Sequence, residues 1–229
     1  MPRPSSIRAG RAGTVVRFTT TVDGDLAIDL DPDVLEARRR RIAPHPWTWL
    51  RQVHGADVVV VTEPGEHAGA EADAAVTTVP GAVLAVQTAD CVPLWMVGDA
   101  DGERPTVGVV HAGWRGLAAG VIERTADAMA AIGAAPATVR CGPHIRARCY
   151  EFGADDLDHV AAACGAEVRG TTAWGTPALD LTAGVRAACD RLGLPLDDDG
   201  TCTACSPVHH SHRARGEAGR QAVVAWIEP

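Results

Sequence analysis

Runs of apolar, largely β-branched residues recur along the chain, separated by stretches with helical spacing. TVVRFTT, ADVVVVT, DAAVTTV, AVLAVQT, VPLWMVG, TVGVVH, TVRCG and AVVAWIE each read as a strand. Several are apolar at successive rather than alternate positions, the pattern of a strand covered on both faces. PDVLEARRRRI, GLAAGVIERTADAMAAIG, ADDLDHVAAACG and LTAGVRAACDRLG read as helices. In the second of these, Leu117, Val121, Ile122, Met129 and Ile132 fall on one stripe and Gly133 is placed to stop it. Hairpin-like and crossover connections alternate, and no repeat, linker or composition break interrupts them. The pattern predicts an α/β fold of the α+β type: a single domain over 1–229, with mixed β-sheets covered by helices in a layered sandwich.

Composition narrows the chemistry. The chain has 229 residues and a formal charge of −8, and its longest basic run is Arg38–Arg41. That run reads as the wet face of a helix, so a nucleic-acid surface is disfavoured. All 21 basic residues are arginine, which excludes Schiff-base lysines, phosphate-loop lysines and Ser-Lys dyads. Seven scattered cysteines argue against a disulfide framework. No stretch approaches the roughly 20 apolar residues of a membrane span, and MPRPSSIRAGRAGTVV lacks a signal-peptide core. The expectation is a reduced, cytoplasmic protein with no membrane contact.

Three polar residues stand where apolar strands meet turns. His54 precedes Gly55 at the head of a strand, Cys91 lies between two strands after Asp90, and His111 ends VGVVH and enters AGWRG. An unpaired polar group held out of water costs about 1–3 kcal/mol, so His111 either has a quiet core partner or is kept for chemistry. Two imidazoles and a thiolate are zinc-ligand types, and three protein ligands with one open position describe a catalytic zinc site. The spacing is not that of a compact zinc finger, and a core histidine or an inert buried cysteine is the alternative for each residue alone.

The motifs RQVHGADV, ADAAVTTVPGAVLAVQTADCVPL, GVVHAGWRGLAAGVIERT, CGPHIRARCYEFG and CTACS…GEAGRQAVVAWI occur in order. Together they resemble the laccase-domain family, also called multicopper polyphenol oxidases, labelled peptidoglycan editing factors and regarded as purine nucleoside phosphorylases. The resemblance spans about Gln52 to Ile227. It implies a metal triad on His54, Cys91 and His111, and phosphate-dependent cleavage of the N-glycosidic bond of purine nucleosides. Adenosine deamination and cleavage of methylthioadenosine are related activities. In that reading Arg115 and Arg51 are phosphate ligands, each with a structural ion pair as the alternative. Asp90 would orient His54 or His111, or else stabilise its turn. Gly113 lets the backbone turn tightly behind His111, and Trp114 shields the site.

Gln52, Tyr150, His210, His212 and Arg213 are the further substrate-binding candidates, and His144 and Arg146 would add another wall. Zinc is expected rather than copper, because nine histidines supply no His-X-His clusters near the triad. Other readings are a cysteine-type amidohydrolase of a peptidoglycan precursor using Cys91, a copper-dependent polyphenol oxidase, and a non-catalytic zinc-binding descendant.

Two segments depart from the family pattern. The first, up to about residue 46, carries TTTVDGDLAIDLDPD in place of a Gly-Ser-Asn-rich stretch. The second is CTACSPVHHSHRARGEAGR, where histidines replace aromatic residues and would retune nucleobase binding. Cys202, Cys205, His209, His210 and His212 are dense enough to suggest a second zinc site, although the family's metal site lies elsewhere. The alternative is that these histidines flank the substrate pocket. Cys141 and Cys149 read as buried fillers.

Overall fold

Strands that read as apolar on both faces are buried on both faces. The computed structural model describes residues 6–8, 13–99 and 105–229. The stretch that bears on a signal peptide therefore lies largely outside the described residues. In chain order the strands and helices begin with β1 (Ser6–Arg8), β2 (Thr14–Phe18), α1 (Pro32–Ile42), β3 (Trp47–Trp49), β4 (Val58–Val61) and β5 (Ala74–Thr77). They continue with β6 (Val83–Thr88), β7 (Val92–Asp99), β8 (Pro105–Ala112), α2 (Trp114–Ala118), α3 (Val121–Ile132) and β9 (Thr138–Cys141). The last are α4 (Ala154–Cys164), β10 (Arg169–Thr171), β11 (Pro177–Leu179), α5 (Leu181–Leu192), β12 (Leu196–Asp198), α6 (His212–Arg215) and β13 (Gln221–Ile227).

A five-stranded sheet in the order β1-β2-β13-β6-β3 lies against a six-stranded sheet in the order β12-β9-β7-β8-β5-β4. Both are mixed: β3–β6, β4–β5 and β12–β9 pair parallel and the remaining neighbours antiparallel. The pleat sorts side chains into layers. On β13, Ala222, Val224 and Trp226 meet Leu35 and Ile42 of α1, while Val223, Ala225 and Ile227 pack between the sheets with Trp95, Val107 and Val109. The far face of the six-stranded sheet meets α3, α4 and α5 through Leu94, Met96 and Val110. The architecture is a helix–sheet–sheet–helix sandwich in a single domain, as the sequence pattern predicts.

Gly108 interrupts the apolar run of β8 for a steric reason. A methyl there would meet Met129 Sδ at 3.0 Å and Thr125 Cγ2 at 3.3 Å, so α3 reaches the sheet only over a glycine. The long helix expected over 116–133 is two helices. Gly120, at φ +79°, turns the chain between α2 and α3. The arginine run is not uniformly wet either. Arg38 donates to Asp25 O, and Arg39 is 8 % exposed, with its guanidinium carbon 4.8 Å from the Trp49 ring centre and 5.8 Å from that of Trp47. Helical spacing marks the face of α1 that turns inward, and the arginine on that face is buried through its stem and stacking plane. No described helix is long and apolar enough to cross a membrane.

Candidate metal centre and cleft

The two sheets meet at an end where three loops converge. β8 runs in register with β5 so that Ala74 faces Val110, which places Asp73, just before β5, opposite His111. The His111 N–H donates to Asp73 O at 2.7 Å, and His111 Nδ1 donates to Asp73 Oδ1, also at 2.7 Å. The same carboxylate accepts the backbone N–H groups of Val53 (3.2 Å), His54 (3.0 Å) and Gly55 (2.7 Å). Asp73 thus ties the histidine at a strand end to the loop bearing the second histidine. That loop carries His54 at φ +59°.

Cys91 completes the group from the β6–β7 crossover, its Sγ 3.9 Å from His54 Nε2. One donor atom each of His54, Cys91 and His111 lies within 4.8 Å of the others. The two rings stand edge to face, with centres 4.9 Å apart. His111 is buried, Cys91 partly so, and His54 is exposed on the cleft side. Because His111 uses Nδ1 on Asp73, its Nε2 is the nitrogen left for a ligand. Burial pushes the Cys91 thiol up, and the adjoining His111 imidazolium outweighs it, bringing the thiol down to about 6. His111 rises to about 9: burial opposes its charge, while the Cys91 thiolate and Asp73 stabilise it.

Gly113 has φ −70° and ψ 162°, a conformation open to any residue, so a tight turn is not its reason. Its reason is space: a methyl there would lie 2.7 Å from His54 Cδ2 and 3.4 Å from Cys91 Sγ. Gly116 similarly lets α2 approach the 54–55 loop, since a methyl would meet Gly55 O at 2.5 Å.

The triad opens into a cleft of about 790 Å³. Arg51, Gln52, Asp90, Trp114, Arg115, Tyr150, His212 and Arg213 line it, so most of the residues singled out in the sequence converge here. Arg115 lies over the Trp114 ring (4.1 Å) and Arg213 over the Tyr150 ring (4.8 Å). Among the described residues neither Arg51 nor Arg115 has a carboxylate partner, which removes the ion-pair alternative raised for them. Gln52 borders the cleft with its amide spent: it donates to Gln87 O and accepts from Gln87 N, both at 2.7 Å.

Other expectations are corrected. Asp90 does not orient a histidine; its carboxylate accepts Thr203 Oγ1 (2.6 Å), Ser211 Oγ (2.7 Å) and Arg213 N (2.6 Å), anchoring residues 201–215. His210 is not among the cleft-lining residues; it packs on Gly219 while its backbone N–H donates to Gln221 Oε1. His144 and Arg146 form no wall, being tied to Thr182, Gly142 and Asp198. The expected Cys-His cluster at 202–212 also separates. His209 pairs with Ser206 Oγ at 2.7 Å and His212 turns to the cleft, while Cys202 and Cys205 are joined by Cys149, which is no buried filler.

Sequence reasoning missed Asp73, whose one signal is an acidic residue immediately before the AAVT strand. It also missed Thr88, a buried cleft residue whose hydroxyl has no hydrogen-bond partner among the described residues. From the divergent N-terminal segment, Ala27, Ile28 and Asp29 reach the cleft.

Comparison with known proteins identifies the family and the fold. Residues 20–228 match the family described as multi-copper polyphenol oxidoreductase laccase. The chain is 40% identical over 212 residues to a purine nucleoside phosphorylase of Streptomyces coelicolor, covering 88% of this chain and 86% of that protein. It is 37% identical over 235 residues to one of Mycobacterium bovis, covering 99% and 92%. Among solved structures, YlmD of Geobacillus stearothermophilus superposes with a TM-score of 0.84 at 28% identity, covering 100% and 98%. A Neisseria meningitidis protein gives 0.84 at 25% identity over the whole of both chains. With nearly the whole chain matched, this protein belongs to the multi-copper polyphenol oxidoreductase laccase family.

Proposed function

We propose that the chain is a zinc-dependent purine nucleoside phosphorylase. It would transfer the sugar of adenosine, inosine or methylthioadenosine from the base to phosphate. The observation that carries this reading is one cleft holding both a His-Cys-His donor set and two arginines that no carboxylate neutralises among the described residues. The names of the relatives support the same reaction class.

The donor set fits zinc: two imidazoles, one with its second nitrogen fixed on a carboxylate, and a thiol already drawn toward thiolate. His54, Cys91 and His111 would hold the ion, which when bound supplies a Lewis-acid charge at the cleft floor. Arg115 and Arg51 bind the phosphate through their guanidinium forks, Arg115 steadied by its stacking on Trp114. Trp114 and Tyr150, with Leu50 and Ile28, offer flat and apolar walls to the purine. Tyr150 and Trp114 supply aromatic surface that the HHSHR segment lacks. The free hydroxyl of Thr88 is available to a sugar hydroxyl or a base nitrogen. In the reaction the bond from the base nitrogen to the anomeric carbon breaks with its electron pair on the base. An oxygen of hydrogenphosphate bonds to that carbon, and the proton of hydrogenphosphate ends on the free base.

Incubation with each nucleoside, with and without phosphate, tests this. Free base and sugar 1-phosphate are expected only when phosphate is present, and base release indifferent to phosphate overturns phosphorolysis. Arg115→Ala is expected to raise KM for phosphate by about 10- to 100-fold, the loss of a charged hydrogen bond, while KM for the nucleoside changes little. Equal changes in both constants would remove Arg115 from the phosphate site. Ammonia measured in the adenosine incubation reports deamination.

A second reading has one observation in its favour, the lowered thiol of Cys91 beside His54 and His111. A thiolate with two imidazoles is also a nucleophile and its base, suited to an amide bond. A protein that is fully active without metal would support it. A copper oxidase finds less support, since no other candidate ligand group among the described residues contains two histidines.

A further inference from the structure

Three cysteines lie together outside the proposed catalytic triad. The sulfurs of Cys149, Cys202 and Cys205 all fall within 4.8 Å of one another, and Cys149 Sγ is 3.4 Å from Cys205 Sγ. Three thiolates around one tetrahedral zinc stand about 3.8 Å apart, as follows from a Zn–S bond of about 2.3 Å. The observed 3.4 Å pair and the 4.8 Å upper limit on the others are compatible with that value.

Two of the thiols come from a Cys-x-x-Cys turn, the spacing structural zinc sites use to offer two ligands from one loop. The N–H groups of Cys205 (3.2 Å) and Ser206 (3.0 Å) donate to Cys202 O and close the turn. Arg215 braces it from outside, with Nη1 on Ala204 O (3.1 Å) and Thr203 O (3.4 Å) and its own charge matched by Glu217. The third thiol arrives on a separate single turn, Ala147–Cys149, whose flank is pinned by the Arg146–Asp198 ion pair. The two turns are joined by backbone hydrogen bonds between His144 and residues 201 and 203. The thiols are therefore held by rigid backbone rather than brought together by side-chain choice. A second cavity of about 700 Å³ adjoins Cys149, and Cys205 is exposed, so a fourth ligand can enter from solvent.

We propose that Cys149, Cys202 and Cys205 form a second metal site, binding a thiolate-seeking cation of the zinc type with water or an added ligand in the fourth position. On binding, three S–H protons pass to solvent and three metal–sulfur bonds form, with no redox change. Its role is to clamp two walls of the catalytic cleft. Cys149 adjoins Tyr150, while Cys202 and Cys205 open the segment that carries His212 and Arg213. Arg213 bridges the two by stacking on Tyr150 and donating to Glu151 O at 2.9 Å. This site does not depend on phosphorolysis being the reaction.

Zinc content after saturation under reducing conditions and desalting tests it. Two ions per chain are expected for the wild type, one for His54→Ala, one for Cys205→Ser, and none for the double variant. Cobalt loaded into His54→Ala should give the thiolate-to-cobalt charge-transfer band, lost on adding Cys205→Ser. Cys205 is exposed, so in the metal-free protein its serine variant should keep the wild-type urea midpoint; Cys202→Ser gives a second, independent removal. A single ion per chain that His54→Ala abolishes and Cys205→Ser leaves in place overturns the proposal. So does a Cys149–Cys205 disulfide in protein purified without air.

Discussion

Replacing Asp73 by alanine is expected to lower the unfolding free energy by about 3–5 kcal/mol, the range for removing one partner of a buried charged pair. Asp73 is fully buried and serves four donors: His111 Nδ1 and the N–H groups of Val53, His54 and Gly55. Burial pushes its carboxyl up, and the hydrogen bond and charge of His111, with the backbone donors, more than offset this and hold it below the usual range. Without it the donors face no acceptor and His111 loses its orientation. Asp73→Asn keeps the shape but turns an amide toward the donors, so it separates the two roles. Metal affinity of that variant, measured by chelator competition, should fall about 10- to 100-fold. Unchanged affinity would mean that the carboxylate only ties the loop down.

Asp90→Ala is the second large effect, about 3 kcal/mol, because Thr203 and Ser211 are fully buried and would lose their acceptor. The damage should be local. Residues 201–215 would detach from the β6–β7 crossover and take Arg213 with them, so limited proteolysis should cut there before the core. Asp90 itself stands at φ +97°, and Asp90→Asn, whose side chain suits positive φ, distinguishes lost charge from backbone strain. A urea midpoint and a cleavage pattern matching the wild type would show that other contacts hold the segment.

The sequence made the layers legible because both sheets are covered. Runs such as AVLAV and AVVAWI are apolar at every position only when each face has its own core, and those cores are the inter-sheet layer and the α1 layer. Short strands escaped notice: WTW, RGT, PAL and LDD carry too few residues for a period, and pairing with a neighbour defines them. The break at Gly120 was hidden because its flanks share one apolar stripe.

Within the site, the ligand-type residues announced themselves by standing at strand ends. Their supports did not. A carboxylate's role is set by what lies opposite it, and the pairing of β5 with β8, not any spacing, puts Asp73 rather than Asp90 against His111. Cys149 was misjudged for the same reason, since its partners lie more than fifty positions away.

The convergence of both sheets on the triad bears on when an ion can be captured. His54 follows a strand of the five-stranded sheet, Cys91 sits on the crossover from one sheet to the other, and His111 ends a strand of the six-stranded sheet. No partly folded chain presents all three, so capture has to follow docking of the sheets. The whole binding energy then accrues to the native topology, about 2.7 kcal/mol for an ion at 100 times its Kd. The Cys-x-x-Cys turn, by contrast, offers two sulfurs as soon as it has been synthesised. With metal bound as proposed, occupancy of the triad would be a signature of completed assembly that a misdocked chain cannot imitate.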